Sequence, residues 1–221
     1  MKRFPEVPYI VPFAVLLAML GVGLVLPVSG APGEFARLAI PAAALWWVAR
    51  PVLDFRVGHR VATPLAGVLI FALWIAPDVL FPGYRQSPLF HNAVVGFARS
   101  SLAEAARHDP GVLALRTLRA VIVVPIAEEL FWRGWLMRWM IHQDFRRVPL
   151  GTYQATAFWV VALLFASEHG PYWDVGLAAG ILLNFWMVRT KSLGDVILAH
   201  AIANLCLSGY VILAGKWEYW L

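Results

Sequence analysis

The sequence predicts an all-α fold, a polytopic bundle of transmembrane helices that encloses a polar cavity. Of the 221 residues, 61% are hydrophobic and only 14% are charged, whereas about a quarter of the residues in soluble domains are charged. Apolar stretches of about 20 residues, the length that crosses a hydrocarbon core, recur along the whole chain. We therefore expect one integral membrane domain over residues 1–221, with no separate soluble domain.

Seven spans are predicted, all of them helices because an isolated strand leaves its backbone polar groups unsatisfied in lipid. The first apolar run exceeds the 7–15-residue core of a signal peptide, so we expect an uncleaved span there. The stretch 90–106 is the candidate for an eighth element, a short re-entrant or interfacial helix. The seven spans are residues 9–28, 36–53, 63–82, 113–141, 153–169, 172–188 and 193–214.

The basic residues indicate orientation in a membrane rather than nucleic-acid binding. The net charge is +5, but the lysines and arginines are scattered singly at the ends of apolar segments. They are more numerous on the side that includes Lys2 and Arg3, which predicts a cytoplasmic N-terminus. The aromatic tail, residues 216–220, is predicted to anchor the chain at a membrane interface. The single cysteine, Cys206, excludes an intrachain disulfide.

Glu128, Glu129 and Arg133 lie inside the fourth predicted span and form the first polar cluster. A charge at the bilayer centre costs about 2.5–3.5 kcal/mol on insertion scales, so such residues usually line a site. Glu129 and Arg133 are four residues apart and can pair on one helix face, while Glu128 points about 100° away. The alternative is an interfacial helix with solvated charges, which the apolar flanks disfavour.

Two further clusters carry histidines. His169 precedes the helix-breaking pair Gly170-Pro171, where a side chain can project into a cavity, although alone it is more typical of an interfacial histidine. His200 and Asn204 lie one turn apart on one face of the last span. Each could also simply hydrogen-bond a neighbouring helix.

Together these clusters supply the groups that hydrolysis of an amide bond requires. A carboxylate can take a proton from water, an imidazole can orient that water, and N–H donors can stabilise the tetrahedral oxyanion. A serine mechanism is less supported, because the chain has no Gly-x-Ser-x-Gly motif and Ser167 has no evident role.

The ordered set resembles the three motifs of the CPBP (Abi) family of intramembrane CAAX prenyl endopeptidases. The motifs are Glu128-Glu129-x-x-x-Arg133, Phe165-x-x-x-His169 and His200-x-x-x-Asn204, within a core of about residues 113–214. The resemblance implies a multi-pass bacterial inner-membrane protease that is metal-independent, has no cofactor and cuts a membrane-associated peptide or protein.

The resemblance also implies a role for each motif residue. Glu128 would be the general base and His169 would hold the water, while His200 and Asn204 would form the oxyanion site. Glu129 and Arg133 would shape the cavity. Residues 189–193 and the Trp-rich tail are similar to a subgroup associated with exosortase and PEP-CTERM sorting systems, which implies a link to that system. Nothing in the sequence selects prenylated over plain peptides.

Three other functions use the same residues. Two histidines and a glutamate are a normal catalytic zinc set, although His-Glu-x-x-His is absent. A non-catalytic scaffold or immunity protein would keep the cavity only for binding. A transporter could use it as a proton relay, but the chain has no internal repeat.

The predicted spans place the two histidines too far apart. His169 would lie near the outer end of its span and His200 nearer the inner end of a parallel one, a gap of about 15 Å at 1.5 Å rise per residue. We therefore expect a bent or partly re-entrant helix pair around Gly170-Pro171, with His169 buried inside the protein.

Overall fold

The computed structural model describes residues 4–25 and 30–221. Within these residues the chain forms helices and no strand, so the all-α prediction is confirmed. Lys2, Arg3 and the end of the first predicted span lie outside the described residues. The seven long helices of the described part are α1 (Val7–Val25), α2 (Gly30–Ala44), α3 (Ala62–Leu80), α4 (Pro110–Trp139), α5 (Ala155–Ser167), α6 (Trp173–Thr190) and α7 (Leu193–Ala214).

The protein is a multi-pass membrane protein. In the described residues, α3, α4 and α7 are each long and apolar enough to cross a bilayer. α5 is apolar but has only 13 residues, a length of about 20 Å at 1.5 Å per residue, less than the ~30 Å of a hydrocarbon core. The count of seven crossings remains a prediction.

α4 departs from regular α-helical geometry on both sides of the two glutamates. Wide π-helical turns at Arg119–Val123 and Leu130–Leu136 flank the α-helical turn Val124–Glu129. In the π register the carbonyl of Ala120 faces Pro125, which has no N–H to donate. The Asn204 side chain fills that position, with Nδ2 donating to the Ala120 carbonyl at 2.7 Å. The irregular turns therefore join α4 to α7 next to the glutamates, as π turns often do near functional sites.

α7 packs most closely against α3. At the crossing, a Cβ built on Gly67 would lie only 2.5 Å from the Ala199 carbonyl oxygen and 2.8 Å from the Ile202 Cβ. The absence of a side chain at residue 67 therefore lets the two backbones approach, as small residues do between membrane helices. α5 and α6 form an antiparallel hairpin on the other side of the core.

The prediction of a short helix over residues 90–106 was wrong for most of that stretch. The only helical turn there is the 3-10 turn Glu104–His108. Asn92 accepts hydrogen bonds on its Oδ1 from the backbone N–H groups of Val94 and Val95, at 2.8 and 3.1 Å. Gly96 closes the turn at φ +84°. Side-chain bonds of asparagine to nearby backbone and the conformational freedom of glycine favour a turn over a helix.

The aromatic tail, predicted to anchor the chain at a membrane interface, packs its last two rings into the protein. Tyr219 and Trp220 are buried, with 8% and 6% of their surface exposed. The Ser101 N–H donates to the Trp220 carbonyl at 3.0 Å, and Tyr219 packs against Tyr172 at 5.2 Å between ring centroids. Amphipathic rings suit a lipid interface and a protein interior equally, since both offer an apolar surface beside a hydrogen-bond partner.

We expect Gly67→Ala to lower the free energy of unfolding by about 1–3 kcal/mol, the usual cost of overpacking. Thermal unfolding of the detergent-solubilised protein measures this change. Gly209→Ala is the matched control, because it also lies in the α3–α7 pair and a Cβ there would meet nothing within 4 Å. That control should be neutral or stabilising by up to about 1 kcal/mol. Equal effects of the two substitutions would contradict the close α3–α7 approach.

Candidate active site

Arg133 is the most connected buried side chain of the site. Only 1% of its surface is exposed, and its Nη1 lies 3.1 Å from the Glu129 carboxylate. Nε donates to Asn184 Oδ1 at 2.8 Å, and Nη2 donates to the Gly180 carbonyl at 3.2 Å. The predicted Glu129–Arg133 pair is thus present. A buried ion pair is tolerated only when its remaining polar atoms are satisfied, and these partners satisfy the guanidinium.

The sequence analysis did not identify Asn184 as a residue of the site. It is fully buried in α6, and its Nδ2 donates to the Phe158 carbonyl on α5 at 2.8 Å. Its one signal was an amide within an otherwise apolar stretch of α6, which resembles any polar residue that bridges two membrane helices. Asn184 fixes the guanidinium of Arg133 relative to the α5–α6 hairpin.

The second partner of Glu129 is His200 on α7. Glu129 Oε1 lies 2.8 Å from His200 Nδ1. The Glu129 oxygen, which also faces Arg133, acts as the acceptor of this bond, so Nδ1 carries the proton and Nε2 is left as the free ring nitrogen. Glu129 therefore holds His200 in one ring orientation.

His169 is oriented by its own helix. It follows the end of α5, and its Nδ1 lies 2.7 Å from the Phe165 carbonyl oxygen. A carbonyl only accepts, so Nδ1 carries the proton and Nε2 is again left free. A Cβ on Gly176 would come within 3.2 Å of the His169 ring, so this glycine of α6 provides the space for the imidazole.

One cavity of about 190 Å³ brings the four predicted catalytic side chains together. Glu128, His169, His200 and Asn204 all line it. The Phe165 ring packs against both imidazoles, at centroid distances of 4.7 Å to His169 and 6.1 Å to His200. The expected gap of about 15 Å is absent, because α5 has only 13 residues and brings His169 to the same cavity as His200.

Glu128 and Glu129 have different surroundings. Glu129 is fully buried within the ion network, whereas Glu128 lines the cavity. Its Oε2 is buried and has no hydrogen-bond partner among the described residues. A buried, unpartnered carboxylate oxygen is costly and is often retained for chemistry or for an ordered water. Glu128 is thus the acid that is available to a water or a substrate.

The polar stripe of α7 extends further than the motif. Ser208 lies one turn beyond Asn204 and lines the same cavity. Spacing alone could have revealed it, because residues 200, 204 and 208 repeat every four positions. Trp74 of α3 also lines the cavity, and its Nε1 is buried without a partner in the described part of the chain.

The described residues contain no group of three or more His, Cys, Asp and Glu side chains arranged to hold a metal ion. Glu129 and one nitrogen of each histidine are already hydrogen-bonded within the protein.

The fold and the site define a class of protein, a multi-pass helical membrane protein with carboxylate, imidazole and amide groups around an internal cavity. The family model described as Rce1-like, type II CAAX prenyl endopeptidase Rce1-like, matches residues 110–206. This part of the chain, which holds the three motifs, is therefore similar to the CAAX endopeptidase (CPBP, Abi) family. The match runs from the start of α4 into α7 and includes every motif residue named above. Neither a curated protein nor a solved structure matches the chain.

We expect Arg133→Gln to lower the free energy of unfolding by about 3–5 kcal/mol, since it leaves Glu129 buried without its cation. Arg146→Gln, which breaks an exposed ion pair with Asp144, should cost only about 0–1 kcal/mol. Thermal unfolding in detergent measures both changes. Adding Glu129→Gln to Arg133→Gln should recover part of the loss, and a double variant less stable than either single one would contradict this account.

Proposed function

We propose that the protein is an intramembrane endopeptidase that hydrolyses a peptide bond of a membrane-associated substrate with water activated by Glu128. The family supports a protease. The observation that carries the mechanism is the convergence of Glu128, His169, His200 and Asn204 on one cavity, with one Glu128 oxygen left unpartnered among the described residues. Metal independence and glutamate-type catalysis are part of this proposal.

In the first step, Glu128 acts as general base. The water oxygen attacks the carbonyl carbon of the scissile bond, and the water proton passes to the Glu128 carboxylate. His169 Nε2 accepts a hydrogen bond from the same water, because its Nδ1–H is held by the Phe165 carbonyl. When the C–N bond breaks, protonated Glu128 returns its proton to the departing amine nitrogen.

Asn204 and His200 stabilise the oxyanion that forms from the carbonyl oxygen. One N–H of the Asn204 amide donates to the Ala120 carbonyl, and the second N–H remains for the substrate. His200 donates through Nε2 when it is protonated.

The proposal also includes the topology, the cellular location and the substrate of the protein. We propose seven crossings, a single membrane domain over residues 1–221, a bacterial inner-membrane location and a cytoplasmic N-terminus. We also propose that the protein is linked to an exosortase and PEP-CTERM sorting system. The proposed substrate is a membrane-associated peptide or protein, prenylated or plain.

Glu128→Gln should abolish cleavage, with a loss of at least about 10²-fold in rate, the usual contribution of a general base. The measurement compares new peptide termini in membranes of cells that carry the wild-type or the Glu128→Gln protein. Ser167→Ala is the control and should match the wild type, because its hydroxyl bonds only the Leu164 carbonyl. Identical termini in all three membranes would favour the non-catalytic scaffold.

Metal dependence is tested on the purified protein by elemental analysis and by chelation. We expect cleavage to continue after treatment with a strong zinc chelator, since each step uses only side chains of the chain. Stoichiometric zinc, together with loss of cleavage on chelation and its recovery on adding zinc, would replace this mechanism with the zinc-dependent one.

Asn204→Ala should lower kcat by about 10²–10³-fold with little change in KM, as removal of one oxyanion donor does. Steady-state cleavage of the peptide identified above measures both constants. Gln143→Ala is the control, because it also removes a side-chain amide, at a position that is exposed and outside the cavity. A rise in KM with kcat unchanged would place Asn204 in substrate binding rather than in stabilising the oxyanion.

A further inference from the structure

The catalytic cavity is too small for the substrate proposed above. Its volume is about 190 Å³, whereas sites that hold drug-sized ligands measure about 300–1,000 Å³. The residues that flank the scissile bond therefore need space outside this cavity.

A second, larger cavity, here called the vestibule, lies beside it and measures about 730 Å³. Its walls include charged and hydrogen-bonding side chains, and Pro82, Gly83 and Gln86 on its walls are exposed. Tyr219 lines both cavities. The polar members of the vestibule include Asp78, Tyr84, Arg85, Gln86, His91 and Lys216.

We call the Tyr219 side chain, which lines both cavities, the partition between them. It lies in the tail and not in a transmembrane helix. Tyr219 ends the 3-10 turn Trp217–Tyr219, which follows α7. The rest of the protein holds the tail backbone through Tyr172 Oη to the Glu218 carbonyl at 3.2 Å, the Ser101 N–H to the Trp220 carbonyl at 3.0 Å and Arg116 Nη2 to the Leu221 carbonyl at 2.8 Å. Because the tail lies outside the seven long helices, it can open locally without breaking one of them.

The Tyr219 hydroxyl is hydrogen-bonded to the Asp78–Arg85 ion pair. It donates to Asp78 Oδ2 at 3.0 Å, and Asp78 in turn accepts from Arg85 Nε at 3.1 Å. Arg85 is buried and also donates to the Pro171 carbonyl at 2.8 Å. Burial and the neighbouring Asp78 raise the pKa of Tyr219, so the phenol remains a donor at neutral pH. Asp78 belongs to α3 and Arg85 to the turn that follows it, whereas Tyr219 lies outside the seven long helices.

The polar stripe of α7 leads from Glu128 toward this partition. His200 to Ser208 covers about 12 Å of helix at 1.5 Å per residue, enough for three or four residues of extended peptide at about 3.3 Å each. Trp74 Nε1, which has no partner in the described ranges, adds a donor on the opposite wall. An extended main chain needs such donors and acceptors along its length.

We propose that the vestibule is the binding site for the extended polypeptide that flanks the scissile bond, and that displacement of Tyr219 joins it to the catalytic cavity. This inference rests on the proposed function. The peptide lies in the vestibule, passes the position that the Tyr219 ring occupies here, and places its scissile bond between Glu128 and Asn204.

The first experiment measures access to the cavity without using cleavage. Ser208→Cys, in a Cys206→Ala background, places a thiol on the cavity side of Tyr219. Its labelling rate with a hydrophilic maleimide should rise at least tenfold when Tyr219→Ala is added. Tyr219→Phe, which keeps the ring and loses the bond to Asp78, should give a smaller rise.

Two controls keep this result specific. Tyr153→Ala, at an exposed tyrosine elsewhere, should leave the labelling rate unchanged. Ala162→Cys, at a fully buried position and in the same backgrounds, should stay unlabelled, which shows that Tyr219→Ala has not unfolded the bundle. Equal labelling of the Ser208→Cys thiol with and without Tyr219 would overturn the partition.

The second experiment obstructs the vestibule. Gln86→Cys, also in the Cys206→Ala background, is modified with a bulky polyethylene glycol maleimide, and cleavage of a peptide that the wild-type protein cuts is measured. The adduct should raise KM at least tenfold, whereas the same adduct at Tyr153→Cys should not. An adduct at residue 86 that leaves KM unchanged would overturn the vestibule as the binding site and leave the proposed function intact. Failure of the proposed function is recognised separately, because Glu128→Gln would then yield the same products as the unmodified protein.

Discussion

The buried guanidinium of Arg133 is the constraint on which the rest of the site depends. An isolated cation inside the bundle would cost several kcal/mol, so the fold must surround it with acceptors. Glu129 supplies the counter-charge from the same helix, Asn184 and the Gly180 carbonyl supply acceptors from α6, and the Phe165 ring of α5 lies 4.7 Å from the guanidinium carbon. Through Glu129 the network also holds His200 on α7. One cation thus fixes the relative positions of four helices.

The same constraint explains why the two adjacent acids differ. Consecutive residues of a helix point about 100° apart, so only one of them can face Arg133. Glu129 does so, with both carboxylate oxygens 3.1 Å from Arg133 Nη1, while Glu128 turns toward the cavity with an oxygen that has neither an ion-pair nor a hydrogen-bond partner among the described residues. The two histidines also differ, because each has a different hydrogen-bond partner. The Phe165 carbonyl keeps His169 an acceptor toward the cavity, and the Glu129 carboxylate holds His200 through Nδ1.

The sequence was informative wherever a local pattern determines the structure. Apolar length predicted helices close to the observed α3 and α7, and four-residue spacing predicted the Glu129–Arg133 pair. It failed where distant segments compete for the same surface. The π turns around Pro125 leave no periodic signal, Asn184 resembles any isolated membrane amide, and the buried Tyr219 has the composition of an interfacial anchor. The histidine distance was overestimated because residues 153–169 were expected to cross the whole hydrocarbon core, whereas α5 has only 13 residues.

The central claim is that a water molecule, activated by Glu128, attacks the peptide bond directly. A single-turnover reaction in H₂¹⁸O, with the protein in excess over its peptide substrate, tests this claim by mass spectrometry of the products. The account predicts one ¹⁸O atom in the new carboxyl terminus in the first turnover, and no label in the protein. A new carboxyl terminus that contains only ¹⁶O, or a peptide covalently attached to Glu128, would contradict it.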